Sequence, residues 1–141
     1  MADVLRLRGQ LDRARDQYQE ALEIHEESFG SNHPDLVYPL LGLGRVAIRR
    51  YEDGGGRQAT LVDTARRHAE RILELGEVDP SLLAQARFLL AQALWPDRAE
   101  RPRALALIQQ AQEYWDTHPD APARAAEVAW IESWLAEHRT R

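Results

Sequence analysis

Two His-Pro-Asp triplets, His33-Pro34-Asp35 and His118-Pro119-Asp120, invite a chemical reading first, because imidazole and carboxylate groups together can ligate metals or move protons. Each falls at an expected helix start. There proline loses nothing at the first helical position and aspartate meets the positive helix end, so a structural role is expected for both. Gly54-Gly55-Gly56 could form the backbone of a phosphate cradle, yet Arg57 follows it and no Lys-Ser or Lys-Thr does, and it reads as a flexible loop. His25 lies on an apolar helix face and His68 beside the small Ala69, places that suit core or boundary histidines. No nucleophile-elbow motif is present. The expectation is a non-enzyme, with no catalytic residue, no cofactor and no metal site.

Composition narrows the chemistry further. Without cysteine there are no disulfides, thiolate metal sites or cysteine nucleophiles. All 18 basic residues are arginine, so Schiff-base chemistry and Walker-type phosphate binding, which need an ε-amine, are excluded. Arginine without lysine, beside abundant alanine, is what a high-GC bacterial genome would produce. A net charge of −5 with interspersed acids and arginines argues against a nucleic-acid partner. No apolar run approaches the ~18 residues of a membrane helix, and no signal-peptide core opens the chain. The default expectation is a soluble cytoplasmic protein with no membrane partner.

The elements that must position these residues read as helices throughout. The first long helix, about 10–29, places Leu11, Ala14, Tyr18, Ala21, Leu22, His25 and Phe29 on one face at 3.6-residue spacing, and Gly30 stops it. The second opens at Pro34, with Pro39 set to kink its first turns or delay its start. Further helices are expected at about 58–75, 80–95, 101–117 and 121–138, and no segment alternates long enough for a strand. Only residues 2–8 precede Gly9, read as a turn, so the first hairpin has a stub for its first helix.

A grammar repeats along these helices. Its clearest copy is Gly9-x-x-x-x-Ala14-x-x-x-Tyr18-x-x-Ala21-Leu22, in which small residues admit a neighbouring helix and an aromatic fills the gap beside them. Leu43-Gly44-x-x-Ala47 and Leu90-Ala91-x-x-Leu94 come next, then Val128-Ala129. These segments resemble the tetratricopeptide repeat family. Gly30-x-Asn32-His33-Pro34-Asp35 is similar to the long repeats of kinesin-light-chain type, and residues 83–95 with the Arg-Ala-Leu-Ala-Leu run after them resemble the repeat tails of some bacterial serine/threonine kinases, without any kinase motif. The spacings of Leu43, Leu90 and Val128 are 47 and 38 residues, against a standard period of about 34. Tyr51-Glu52-Asp53-Gly54-Gly55-Gly56 reads as the insertion behind the first excess.

The resemblance implies an all-α superhelix forming a single domain, 1–141. Its parts would be repeat 1 at 1–30 with a truncated first helix, repeat 2 at 33–76, repeat 3 at 79–117 and a capping helix at 120–138. It also implies a concave face lined by first helices, with Tyr38, Leu41, Arg45 and Arg49 at one end and Phe88, Gln92, Trp95, Trp130 and Trp134 at the other. The tryptophans suit groove and core equally. Three functions are open: a protein or peptide interaction module, a part of a larger bacterial signalling or scaffold protein, holding a partner in that groove; a self-assembly element; and a small-molecule sensor using the aromatic pocket near Trp95. The stub leaves an apolar face under-covered, so a homodimer through Val4, Leu5 and Leu7, or docking on upstream repeats, is expected.

Overall fold

The computed structural model describes residues 2–139, with side chains from residue 8 onward. Six α-helices succeed one another: α1 (Ala2–Phe29), α2 (Val37–Asp53), α3 (Ala59–Glu74), α4 (Pro80–Leu94), α5 (Arg101–Thr117) and α6 (Arg124–His138). Short 3-10 turns at Pro34–Leu36 and Arg98–Glu100 lead into α2 and α5, and no strand occurs among the described residues. Helices α2 and α3 pair, as do α4 and α5, and α3 packs on α4 so that the two pairs form a continuous stack. Helix α1 lies against α2 at one end, and α6 closes the other against α4 and α5. No described helix is long and apolar enough to cross a membrane.

Small residues set the spacing of this stack. Ala65, Ala69, Ala84, Ala91, Ala104 and Ala111 are fully buried in the helix contacts, and Ile72, Leu89, Leu90 and Ile108 fill the space beside them. Gly42 and Gly44 act in the same way on α2: a Cβ on Gly42 would enter the Tyr18 ring of α1, and one on Gly44 would strike Leu89 of α4.

Local chemistry explains most of the helix boundaries. Gly30, at φ +86°, ends α1 with its N–H on the Glu26 carbonyl (2.9 Å). His33 Nδ1 accepts from the Asp35 N–H at 3.1 Å, so the first triplet caps the turn that precedes α2. Pro39 falls in the first turn of α2, where no intrahelical donor is missed, and the 3-10 turn absorbs the delay. Asp79 caps α4 through the Ser81 N–H (2.8 Å) and hydroxyl (2.7 Å).

Three expectations need correction. Gly9 is not a turn: α1 runs unbroken for 28 residues, because one glycine costs a helix only about 1 kcal/mol and neither proline nor a capping residue accompanies it. There is consequently no truncated first hairpin, and α1 serves as a single leading helix. Tyr51, Glu52 and Asp53 are not an insertion but the last turn of α2, held by Arg49 Nε on the Asp53 carboxylate at 3.3 Å. The connection is only residues 54–58, with Gly55 and Gly56 at positive φ. Finally, His118 closes α5 rather than opening α6, its Nδ1 donating to the Tyr114 carbonyl at 2.9 Å. Pro122 holds Ala121 out of helical geometry, so α6 starts at Arg124. Val4, Leu5 and Leu7, the expected dimer contacts, lie outside the residues whose side chains are described.

The two kinds of glycine separate experimentally. Gly9→Ala is expected to stabilise the chain by up to about 1 kcal/mol, since nothing lies within 4 Å of the added methyl. Gly44→Ala should cost about 1–3 kcal/mol by overpacking Leu89. Urea unfolding measures both, and a loss of stability at Gly9 would reinstate the turn.

Candidate functional site

The largest cavity, about 650 Å³, lies where α1, α2, α4 and α6 converge. Helix α1 lends it Leu11, Ala14 and Tyr18; α2 lends Tyr38, Leu41, Arg45 and Arg49; α4 lends Leu82, Gln85 and Gln92; and α6 lends Trp130. Of the residues expected on the concave face, Tyr38, Leu41, Arg45, Arg49, Gln92 and Trp130 thus share one cavity. Tyr38 is its most open aromatic, at 59% exposure, and Leu41 is buried in its wall.

The two arginines differ in their commitments. Arg45 donates through Nη2 to Gln85 Oε1 (2.9 Å) and to Glu127 Oε1 (3.0 Å), and its guanidinium stands 5.3 Å from the centre of the Trp130 ring. Helix α2 is therefore tied to α6 across 82 residues of sequence. Arg49 pairs with Asp53 one turn on and keeps a side chain 56% exposed. The expected positive end of the groove is corrected accordingly: Glu127 pairs with Arg45 and Asp53 with Arg49, so both guanidinium groups have carboxylate partners within the chain, and Arg49 is the more exposed of the two.

Phe88, Trp95 and Trp134, also expected as groove anchors, belong instead to the packing of α6 on α4. They are 1%, 8% and 4% exposed. Phe88 meets Trp130 and Trp134 edge to face at 4.9 and 5.9 Å, and Trp95 meets Trp134 at 5.3 Å. Arg101 covers Trp95 at 4.6 Å, and His138 stacks on Trp134 at 4.1 Å. Trp95 and Trp134 also border a smaller cavity of about 380 Å³, with Tyr51, Glu52 and Gln92.

Other parts of the site were not anticipated. Ala14, read as a helix seam residue, faces the open cavity. The pairing of Glu127 has no local sequence signal because its partner is distant along the chain, although a carboxylate one position before Val128, on the face that carries Ile131 and Trp134, departs from the apolar pattern. Four buried side-chain polar atoms have no partner among the described residues; Trp115 Nε1 lies away on α5, and the other three, Arg45 Nε, Glu127 Oε2 and Gln92 Oε1, lie here. Native proteins leave few such groups, so their gathering on α2, α4 and α6 marks this region as polar beneath its aromatic cover.

Burial pushes the Glu127 carboxyl above the ordinary carboxylate range, and the opposing Arg45 only partly offsets it. A carboxyl whose pKa is raised by folding favours the fold while protonated, and that contribution is lost as pH rises through the folded value. Glu127→Gln, which can still accept from Arg45, is therefore expected to melt higher than the parent at neutral pH. The gap should close on acidification toward 4.5. Paired thermal melts across this range check the sign; a variant that falls progressively below the parent as pH rises would reverse it.

Residues 1–53 match the family model described as tetratricopeptide repeat. No curated protein and no solved structure matches the chain. The matched segment covers α1, the capped turn at His33 and all of α2, and so includes both contact glycines and both cavity arginines. Tetratricopeptide repeats generally mediate protein–protein interaction and form a typically non-enzymatic fold. From its opening helix to the end of α2, residues 1–53, this all-helical chain is similar to the tetratricopeptide repeat family.

Proposed function

We propose that the chain is a non-enzymatic interaction module, part of a larger bacterial signalling or scaffold assembly, that receives a segment of a partner protein in the cavity between α1, α2 and α6. The observation that carries this reading is the open end of that cavity, where exposed Tyr38 and Tyr18 stand above buried Leu41 and beside the accessible Arg49. Tyrosine and arginine dominate the energetics of many protein interfaces. The fitting ligand places an apolar or aromatic side chain between the tyrosines and a carboxylate within reach of Arg49, which can bind it through two nitrogens.

Exposed apolar side chains on α1 favour a second reading, self-association. Ile24 and Phe29 are 53% and 50% exposed, and no other described helix buries one of them. Sedimentation equilibrium decides this reading: a dimer that Ile24→Asp dissociates supports it, and a monomer at high micromolar concentration removes it.

The groove reading is tested by selecting binders from a displayed peptide library against the full chain and measuring them on Tyr38→Ala and Arg49→Glu. Each change is expected to weaken binding roughly thirtyfold, about 2 kcal/mol, with the helical circular dichroism unchanged. Binders indifferent to both changes would show that the partner docks elsewhere.

A further inference from the structure

We infer that α6 is the chain's own ligand for its concave face, and that the partner of this face is an amphipathic helix of the same kind, with a carboxylate followed three and seven residues later by aromatic side chains. The inference rests on reading that face as the binding surface and specifies what it binds. Helix α6 meets α2 and α4 through Glu127, Trp130 and Trp134, with Ile131 buried on the same face and Val128 and Leu135 partly buried against the core beside it, while Ala125, Ala126, Glu132, Ser133, Ala136 and Glu137 are exposed. That i, i+3, i+4, i+7 spacing is how an amphipathic helix seats in a groove.

The fit of α6 is incomplete, and the shortfall indicates what would fit better. The Arg45–Glu127 pair uses one nitrogen and one oxygen, leaving Arg45 Nε and Glu127 Oε2 buried without partners. A carboxylate seated square to the guanidinium would take Nε and Nη2 together, in the stronger two-point geometry. Burial of Glu127 is itself unfavourable to its charged form, whereas removing it would leave Arg45 without a carboxylate partner, which costs more. Between α5 and α6, residues 118–123 include two prolines, and Arg124 Nε on the Trp115 carbonyl (2.9 Å) anchors the start of α6. A partner helix with the same pattern and a freer carboxylate would therefore compete with α6 for Arg45 and for the edges of Phe88 and Trp95.

The test uses the full chain and a labelled synthetic peptide with the sequence of residues 121–139. The tethered helix competes at an effective concentration of the order of millimolar, so the parent should bind the peptide weakly. Trp130→Ala in the chain should raise the affinity at least tenfold by loosening the tethered copy. A peptide with Glu127→Ala should bind at least tenfold more weakly than the parent peptide, and Arg45→Ala in the chain should erase that difference. Hydrogen exchange should show α6 amides opening at least tenfold faster than those of α4, and faster again with peptide present. Failure of the peptide to bind both the parent and Trp130→Ala overturns the inference, as does exchange in α6 as slow as in α4. A dimer of Trp130→Ala in which each α6 protects the other copy also overturns it, by making a second copy the occupant. Library-selected binders that need Tyr38 and Arg49 while α6 stays protected would sink this inference alone, leaving the groove reading intact.

Discussion

Helix α2 packs on α1, α3 and α4 and bonds to α6, and it can do so because Gly42 and Gly44 offer no side chain to α1 and α4 while Leu43, Ala47 and Ile48 fill the remaining contacts. Close backbone approach at two points, two residues apart, fixes how α1 and α4 diverge around α2. The larger cavity is the space left by that divergence, and Arg45, one residue beyond Gly44, faces into it. Geometry that begins as an absence of side chains therefore ends by positioning the charged group of the site.

The polar groups in that cavity have a different energetic character from the alanine-lined core. Burying Ala65, Ala69 and Ile72 stabilises the stack through apolar area and close packing. Glu127 differs, since burial disfavours its charged form and the attraction to Arg45 only partly offsets this. The aromatic contacts of Phe88, Trp95 and Trp134 supply the attraction that keeps α6 in place, and Arg45 with Glu127 selects its register. Separating these two duties accounts for a buried charge pair in a helix that could have been wholly apolar there.

Much of the helical outline was legible because its signals are local. Pro34, Asp79-Pro80 and Gly30 mark boundaries through chemistry confined to one turn, and the alanine stripe of α3 at residues 65 and 69 comes directly from helical period. Gly9 and Gly30 show where this fails: both are glycine, but only Gly30 adopts the left-handed conformation, because the chain must leave the helix there to reach the capped turn at His33. Tyr38, Leu41, Arg45 and Arg49 could be grouped from the sequence because they share one helix, and they line one cavity with Gln92 and Trp130. Placement was not legible for Trp95 and Trp134, because whether an aromatic faces a groove or a neighbour depends on a helix placed later in the chain, and Glu127 could be paired with Arg45 only in three dimensions.

Repeat arrays ordinarily behave as one-dimensional systems, in which each unit interacts only with its neighbours and the ends melt independently. The bond between Arg45 and Glu127 breaks that rule by joining the second helix to the last. With α6 seated, the C-terminal end of the array is no longer independent: fraying there withdraws a contact from α2, and loosening of α2 releases it. With α6 displaced, the chain becomes an open stack whose parts can unfold in sequence. Occupancy of one groove would thus set whether the molecule unfolds as a single cooperative body or piece by piece.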